Sequence, residues 1–190
     1  MNWILASGSP RRRELLEMLG VPDLTIRPAT GPERATPGAG PEQTVRELSL
    51  HKAQEVAQTC APEDIIIAAD TIVYLDGAIL GKPRDHDDAA RMLTALSGRE
   101  HIVYTGVAVL RGGELRQAAE QTAVHFRTLT PEEIERYIAT GEPMDKAGAY
   151  GIQGRGALFV AHLDGDYFNV MGLPLCRLGQ LLNELGVELL

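Results

Sequence analysis

Residues 65–70 read Ile-Ile-Ile-Ala-Ala-Asp, a run that is apolar up to its last position. Such a run is typical of a central strand that other elements cover on both faces. Upstream, residues 3–6 and 24–27 predict two further short strands, and residues 41–59 have the apolar spacing of a helix. The central run therefore predicts a sheet with helices packed against it.

The pattern downstream of this run is also mixed. Residues 73–80 bend around Asp76-Gly77, and residues 102–110 and 118–127 form a second predicted hairpin around Gly112-Gly113. We predict further helices at 10–20, 85–96, 130–141 and 173–185, loops at 28–40 and 147–156, and two short strands around Asp164-Gly165. The prediction is an α/β fold in which residues 1–190 form a single domain with no separable linker.

Composition and charge exclude several classes of function. The chain has 190 residues and a net charge of −8, which disfavours general binding to nucleic acid. No run approaches the roughly 20 apolar residues that a membrane helix needs, and the basic residues near the N-terminus follow the short apolar stretch, whereas a signal peptide has the opposite order. We expect a cytoplasmic protein that binds neither nucleic acid nor membrane.

The first candidate site is the segment Ser7-Gly8-Ser9-Pro10-Arg11-Arg12. A strand is followed by a turn of small residues and then by a helix that Ser9 is expected to cap and Pro10 to open. Exposed amides at a helix N-terminus favour an anion, and arginines add bidentate donors for phosphate. The alternative is a capped helix with solvated arginines.

Asp70 is the second candidate, because it places a carboxylate at the predicted end of a buried apolar strand. A carboxylate at such a place is costly unless it is paired, binds a metal ion or faces a cleft. It could therefore hold a divalent ion or accept a proton from water. The alternative is that Asp70 caps a turn or helix.

The remaining candidates are two lysines and a glycine-rich segment. Lys82 lies in Gly81-Lys82-Pro83-Arg84, and Lys52 lies within the predicted helix at 41–59; taken singly, each could equally be a solvent-facing cation. The glycines of residues 147–156 allow close approach to a ligand, and the Gln153 amide can read a base edge. The alternative there is a mobile surface loop.

Four ordered blocks of the chain resemble the Maf family: LASGSPRRRELL, AADTIVYLDGAILGKPRD, EPMDKAGAYGIQGRGALFV and DGDYFNVMGLPL. The resemblance spans nearly the whole chain. It implies a long mixed β-sheet flanked by helices, two lobes with a cleft between them, and a relation to the inosine triphosphatases. It also implies a metal-dependent nucleoside triphosphate pyrophosphatase that is often a homodimer.

The resemblance also implies roles for individual residues. Asp70 matches the proton acceptor of the family, and Glu33 matches an acid near the metal, so Asp70 and Glu33 are the expected ligands of Mg²⁺ or Mn²⁺. The positions expected to contact phosphate are Ser7, Ser9, Arg11, Arg12, Lys52 and Lys82. Arg11, Thr71 and Gln153 match positions that separate substrate subgroups.

The motifs Ala69-Asp70-Thr71 and Gly151-Ile152-Gln153-Gly154 resemble the dTTP/UTP-preferring subgroup rather than the 7-methyl-GTP-preferring one. CTP and modified pyrimidine nucleotides are further possible substrates. One departure from the family is Arg34, which stands where many members carry a second acid beside Glu33. The alternatives are a pyrophosphatase for 7-methyl-GTP or for ITP and XTP, and a non-catalytic nucleotide-binding regulator of cell division.

Overall fold

A computed structural model describes residues 1–190 and contains one mixed sheet of seven strands. The strands are β1 (Trp3–Leu5), β2 (Leu24–Ile26), β3 (Ile65–Leu75), β4 (Ala78–Leu80), β5 (Glu100–Arg111), β6 (Glu114–Phe126) and β7 (Val160–Asp164). Their order in the sheet is β2-β1-β3-β5-β6-β7, and β4 pairs with β3 away from this path. Strand β1 is parallel to β2 and β3, whereas β3–β4 and β6–β7 are antiparallel. The predicted long mixed sheet is confirmed.

Six α-helices accompany the sheet: α1 (Pro10–Met18), α2 (Pro41–Ala57), α3 (His86–Leu96), α4 (Pro131–Ile138), α5 (Tyr167–Met171) and α6 (Leu175–Glu184). Local chemistry accounts for where several of them begin. Proline occupies the first turn of α1, α2 and α4, where its missing N–H costs nothing. At α4, Thr130 and Glu133 form a reciprocal capping box. Ser9 does occupy the N-cap position of α1, but its side chain makes no capping hydrogen bond.

The chain divides into two compact units, and neither is one continuous stretch. The first comprises residues 1–70, 105–120 and 172–190, and the second comprises residues 71–104 and 121–171. In the first unit, a small aliphatic cluster packs residues of β1, α2 and β3, among them Ile4, Val56 and Ile66. In the second, α3 and α4 pack with Phe126 and Tyr150 in a larger core that also contains the rings of Tyr137 and Phe159.

The prediction that a strand ends at Asp70 is wrong. Strand β3 continues through Asp70 to Leu75, so the carboxylate is in the middle of the strand and caps no turn or helix. The residues that follow, Thr71-Ile72-Val73-Tyr74, have high β-propensity and carry the strand onward. A strand tolerates a buried acid when the acid has a partner of opposite charge.

The two strands expected around Asp164-Gly165 are also only half right. Strand β7 ends at Asp164, but the residues after Gly165 form the short helix α5. The Asp166 carboxylate accepts a hydrogen bond from the Phe168 amide, and the buried Asn169 side chain donates to the Val103 carbonyl and to the Thr122 hydroxyl. These bonds outweigh the strand preference of the aromatic residues.

No helix in this fold combines the length and the apolar character needed to cross a membrane.

Candidate active site

In the first unit, one lysine joins two carboxylates. Lys52 on α2 is hydrogen-bonded through Nζ to the Oδ1 atom of Asp70 on β3, and the same Nζ lies 2.7 Å from Oε1 of Glu33. The Lys52 side chain is only 18% exposed. The alternative that Lys52 is a solvent-facing cation is therefore wrong, and three of the predicted site residues form one cluster.

The environment of Asp70 suits a group that accepts a proton. The residue is 8% exposed, and this burial raises its pKa above the ordinary value of an aspartate. The charge and hydrogen bond of Lys52 and the charge of Arg12 act in the opposite direction, and Glu33 adds to the rise. Asp70 is thus a more basic carboxylate than one in water, and it is held by a cation in a fixed orientation.

The turn that precedes α1 forms a second cluster in the same unit. Arg12 donates through Nη1 to the Ser7 hydroxyl at 3.0 Å and through Nε to the Gly172 carbonyl at 2.7 Å. The Ser9 amide donates to the same hydroxyl at 3.3 Å. Arg11 is half-buried beside Arg12, whose charge also acts on Asp70. Arg12 is therefore fixed by the fold and is not a freely solvated arginine.

Thr71, Lys82 and Gln153 belong to the second unit. Thr71 is half-buried on β3 directly after Asp70, Lys82 is exposed in the turn after β4, and Gln153 is half-buried in the glycine-rich segment. The Gly148 amide donates to the Gly81 carbonyl at 3.0 Å. The glycine-rich segment is therefore hydrogen-bonded to the residue directly before Lys82.

The glycine-rich segment is more ordered than predicted. Residues 147–149 and 154–159 form short 3₁₀ turns, and residues 148–152 are buried, so the alternative of a surface loop is wrong. At Gly148 the φ angle is +68°, and a Cβ atom would lie 2.8 Å from Cγ2 of Val73. Only glycine fits there without strain.

Glu142 organises this segment and was not among the predicted residues. Its carboxylate accepts hydrogen bonds from the amides of Arg155 and Gly156, each at 3.1 Å, and from the Tyr137 hydroxyl at 2.9 Å. The Tyr137 oxygen in turn accepts from the Gly151 amide at 3.2 Å. Burial acts to raise the pKa of Glu142, but these hydrogen bonds outweigh it and lower the pKa. The contacts join residues 13 and 14 positions apart and follow no periodic pattern, so the sequence carried no signal for them.

The donor set of the first unit fits a hard divalent cation. Asp70 and Glu33 both bind the Lys52 ammonium group, so a divalent ion held by both carboxylates would lie beside that ammonium group or replace it. No group of three or more acidic, histidine or cysteine side chains is arranged to hold a metal ion. Two carboxylates with the remaining positions left to phosphate and water is the arrangement that Mg²⁺ commonly takes in phosphate chemistry.

The chain matches a known protein family over nearly its whole length. The family described as Maf-like protein matches residues 2–185. The chain belongs to the Maf family. Within it, a Moorella thermoacetica protein named dTTP/UTP pyrophosphatase is 53% identical over 187 residues, covering 97% of this chain and 95% of that protein. A protein of the same name from Dictyoglomus thermophilum is 49% identical over 189 residues, covering 98% of this chain and 97% of its own.

Solved structures are more distant from this Maf chain. A Ham1 protein from Staphylococcus aureus is 13% identical with a TM-score of 0.49, and the match covers 66% of this chain and 72% of that one. A Ham1 protein from Coxiella burnetii is 18% identical with a TM-score of 0.48, covering 66% and 73% respectively.

Proposed function

We propose that this Maf protein is a nucleoside triphosphate pyrophosphatase that hydrolyses dTTP and UTP to the monophosphate and pyrophosphate. The proposal rests on the buried carboxylate of Asp70. Lys52 binds this carboxylate and also binds the carboxylate of Glu33. Relatives about half identical over nearly their whole length are named dTTP/UTP pyrophosphatases, which supports the same substrates here.

Asp70 acts on water in the proposed reaction. A water molecule hydrogen-bonded to the Asp70 carboxylate attacks the α-phosphorus, the bond from that phosphorus to the α–β bridging oxygen breaks, and Asp70 takes up a proton of the water. The raised pKa of Asp70 makes it a better proton acceptor than an ordinary aspartate. Lys52 keeps the carboxylate oriented and adds a positive charge beside it.

The phosphate chain needs positive charge and donors, and catalysis of this kind is mostly positioning and electrostatics. In the first unit, Ser7, Ser9, Arg11 and Arg12 supply donors and charge, and we assign them to phosphate contacts. A divalent ion, Mg²⁺ or Mn²⁺, held by Asp70 and Glu33 would neutralise charge on the phosphate oxygens and on the departing pyrophosphate.

Following the resemblance to the family, we assign Lys82 to the phosphate and Thr71 and Gln153 to the base. The amide of Gln153 offers both a donor and an acceptor, which suits the O4/N3 edge of thymine or uracil. An amide cannot distinguish these two bases from each other, and the proposal therefore includes both nucleotides, with CTP and modified pyrimidines as further candidates.

The proposal also includes a homodimer that does not bind nucleic acid. The homodimer is proposed from the resemblance to the family. The lack of binding to nucleic acid is proposed from the net charge of −8. Sedimentation velocity at micromolar concentration measures the assembly directly, and a monomer would contradict this part alone.

A panel of triphosphates with product analysis tests the substrate and the bond that is cleaved. dTTP, UTP, CTP, GTP, 7-methyl-GTP and ITP are incubated separately with Mg²⁺ or Mn²⁺. We expect dTTP and UTP to be cleaved fastest, with monophosphate and pyrophosphate as products. Faster cleavage of 7-methyl-GTP or ITP would reject the assigned subgroup, and nucleotide binding without any cleavage would favour the regulator.

A further inference from the structure

The loop between β2 and α2 is fastened to α2 at two places by glutamates of that helix. At the first place, Glu55 accepts hydrogen bonds from the Thr30 amide at 2.7 Å and from the Gly31 amide at 3.0 and 3.1 Å. The Thr30 hydroxyl also reaches the same carboxylate at 3.3 Å. Both oxygens of Glu55 are therefore used to hold loop backbone.

Glu47 makes the second attachment. It accepts hydrogen bonds from the Thr36 amide at 2.7 Å and from the Thr36 hydroxyl at 3.0 Å, and Gln43 donates to it at 2.7 Å. Hydrogen bonds from loop amides lower the pKa of Glu47 and of Glu55, as expected for carboxylates that bind N–H groups in their ionised form.

The loop sequence is adapted to the first attachment. A Cβ atom on Gly31 would lie 2.6 Å from Oε2 of Glu55, closer than real side-chain contacts allow. A larger residue at position 31 would therefore push the carboxylate away from the amides that it binds. Glycine leaves the carboxylate in place, and its φ angle is not in the left-handed region.

Glu33 lies between the two attachments and reaches Lys52 on the same helix. Its side chain is 63% exposed, so its position depends on the backbone that carries it more than on surrounding side chains. One helix thus supplies both the ammonium group that Glu33 binds and the two carboxylates that fix the loop on either side of it.

We infer that Glu47 and Glu55 are positioning residues that hold Glu33 beside Lys52 and Asp70. They touch neither the substrate nor the reacting atoms, and they act through the loop backbone. The inference rests on the proposed function for its catalytic consequence, although the fastening of the loop can be measured without any activity. Outer partners of metal ligands typically change metal affinity or activity by about 10- to 100-fold when removed.

Limited proteolysis measures the loop itself. Arg34 lies in the loop between the two attachments, and the Arg27–Pro28 bond resists trypsin, so cleavage after Arg34 reports opening of this segment. We expect Glu47→Gln and Glu55→Gln each to be cleaved after Arg34 about tenfold faster than wild type, because each variant weakens hydrogen bonds to a charged acceptor. Gly31→Ala should do the same as Glu55→Gln without changing an acid.

Glu42→Gln is the matched control, because Glu42 is also on α2 but binds the Arg46 side chain and no loop amide. Its cleavage rate should equal that of wild type. Equal rates in wild type and all three loop variants, including no cleavage after Arg34 in any of them, would overturn the inference.

The catalytic consequence is measured as the Mg²⁺ concentration that gives half-maximal dTTP hydrolysis. We expect it to rise about tenfold or more in Glu47→Gln and Glu55→Gln, with a smaller change in kcat at saturating Mg²⁺. Faster cleavage of the loop with an unchanged Mg²⁺ dependence would overturn the positioning role and leave the proposed function intact. If wild type hydrolyses no triphosphate, the proposed function fails, and the trypsin result still decides whether the loop is fastened.

Discussion

Replacing His101 by glutamine should flatten the dependence of stability on pH between about pH 4 and pH 6.5. His101 is 2% exposed in the core of the second unit; its Nε2 lies 2.7 Å from the Tyr150 hydroxyl, and its buried Nδ1 has no hydrogen-bond partner. Burial lowers the pKa of His101 to about 4, and the nearby charge of His125 adds to this. A charged imidazole would be desolvated there with one N–H unsatisfied.

The sign and size of the effect follow from linkage. The unfolded chain binds a proton at His101 near pH 6.5, whereas the folded chain does so only near pH 4, so protonation favours the unfolded state as the pH falls. The contribution of His101 is fully present above pH 6.5, and on the order of 3 kcal/mol is lost by pH 4. Between pH 7 and pH 5 the expected loss is about 2 kcal/mol.

Urea unfolding at pH 7 and pH 5 measures this contribution. Wild type should lose about 2 kcal/mol more than His101→Gln over that interval, because glutamine cannot be protonated but can still bond to the Tyr150 hydroxyl. His51→Gln, which removes an exposed imidazole, should behave as wild type. An identical pH dependence in wild type and His101→Gln would refute the assignment of a neutral buried histidine.

Three further predictions concern packing and the site. Gly106→Ala should lower the free energy of unfolding in urea by about 1–3 kcal/mol or more, because a Cβ atom would lie 2.1 Å from the Val45 carbonyl oxygen. As a control, Gly179→Ala should leave stability unchanged or raise it, because Gly179 lies in α6 with open space around it. Glu142→Gln should raise the KM for dTTP about tenfold with less effect on kcat, because the substitution loosens the glycine-rich segment and leaves the reacting groups in place. In steady-state kinetics, a fall in kcat with an unchanged KM would contradict this role of Glu142. Lys52→Met should lower kcat about 100-fold, since two carboxylates lose their shared cation, and turnover near the wild-type rate would contradict that role.

The features that the sequence predicts well are those determined by neighbouring residues. The start of the helix predicted at 130–141 and the turn at Asp76-Gly77 each depend on residues only a few positions apart, so a short stretch of sequence is enough to predict each of them. Long apolar runs located the central strand for the same reason.

Contacts between distant residues explain most of what could not be predicted. The sequence identified Lys52 and Asp70 separately, but their hydrogen bond joins a helix to a strand across 18 positions and leaves no periodic trace. The same holds for Glu142 and the amides that it binds. The segment at 167–171 was misassigned because its tyrosine, phenylalanine and valine favour strands, whereas tertiary bonds of the buried Asn169 hold a helical turn.

Whether Asp70 is the proton acceptor can be decided by measuring pyrophosphate release from dTTP and UTP. Wild type and Asp70→Asn are compared side by side with Mg²⁺, on protein shown to be folded by circular dichroism. We expect monophosphate and pyrophosphate from wild type and a loss of at least about 100-fold in kcat for Asp70→Asn, the size typical of removing a general base. Turnover by Asp70→Asn close to that of wild type would contradict the assignment of Asp70 as the proton acceptor.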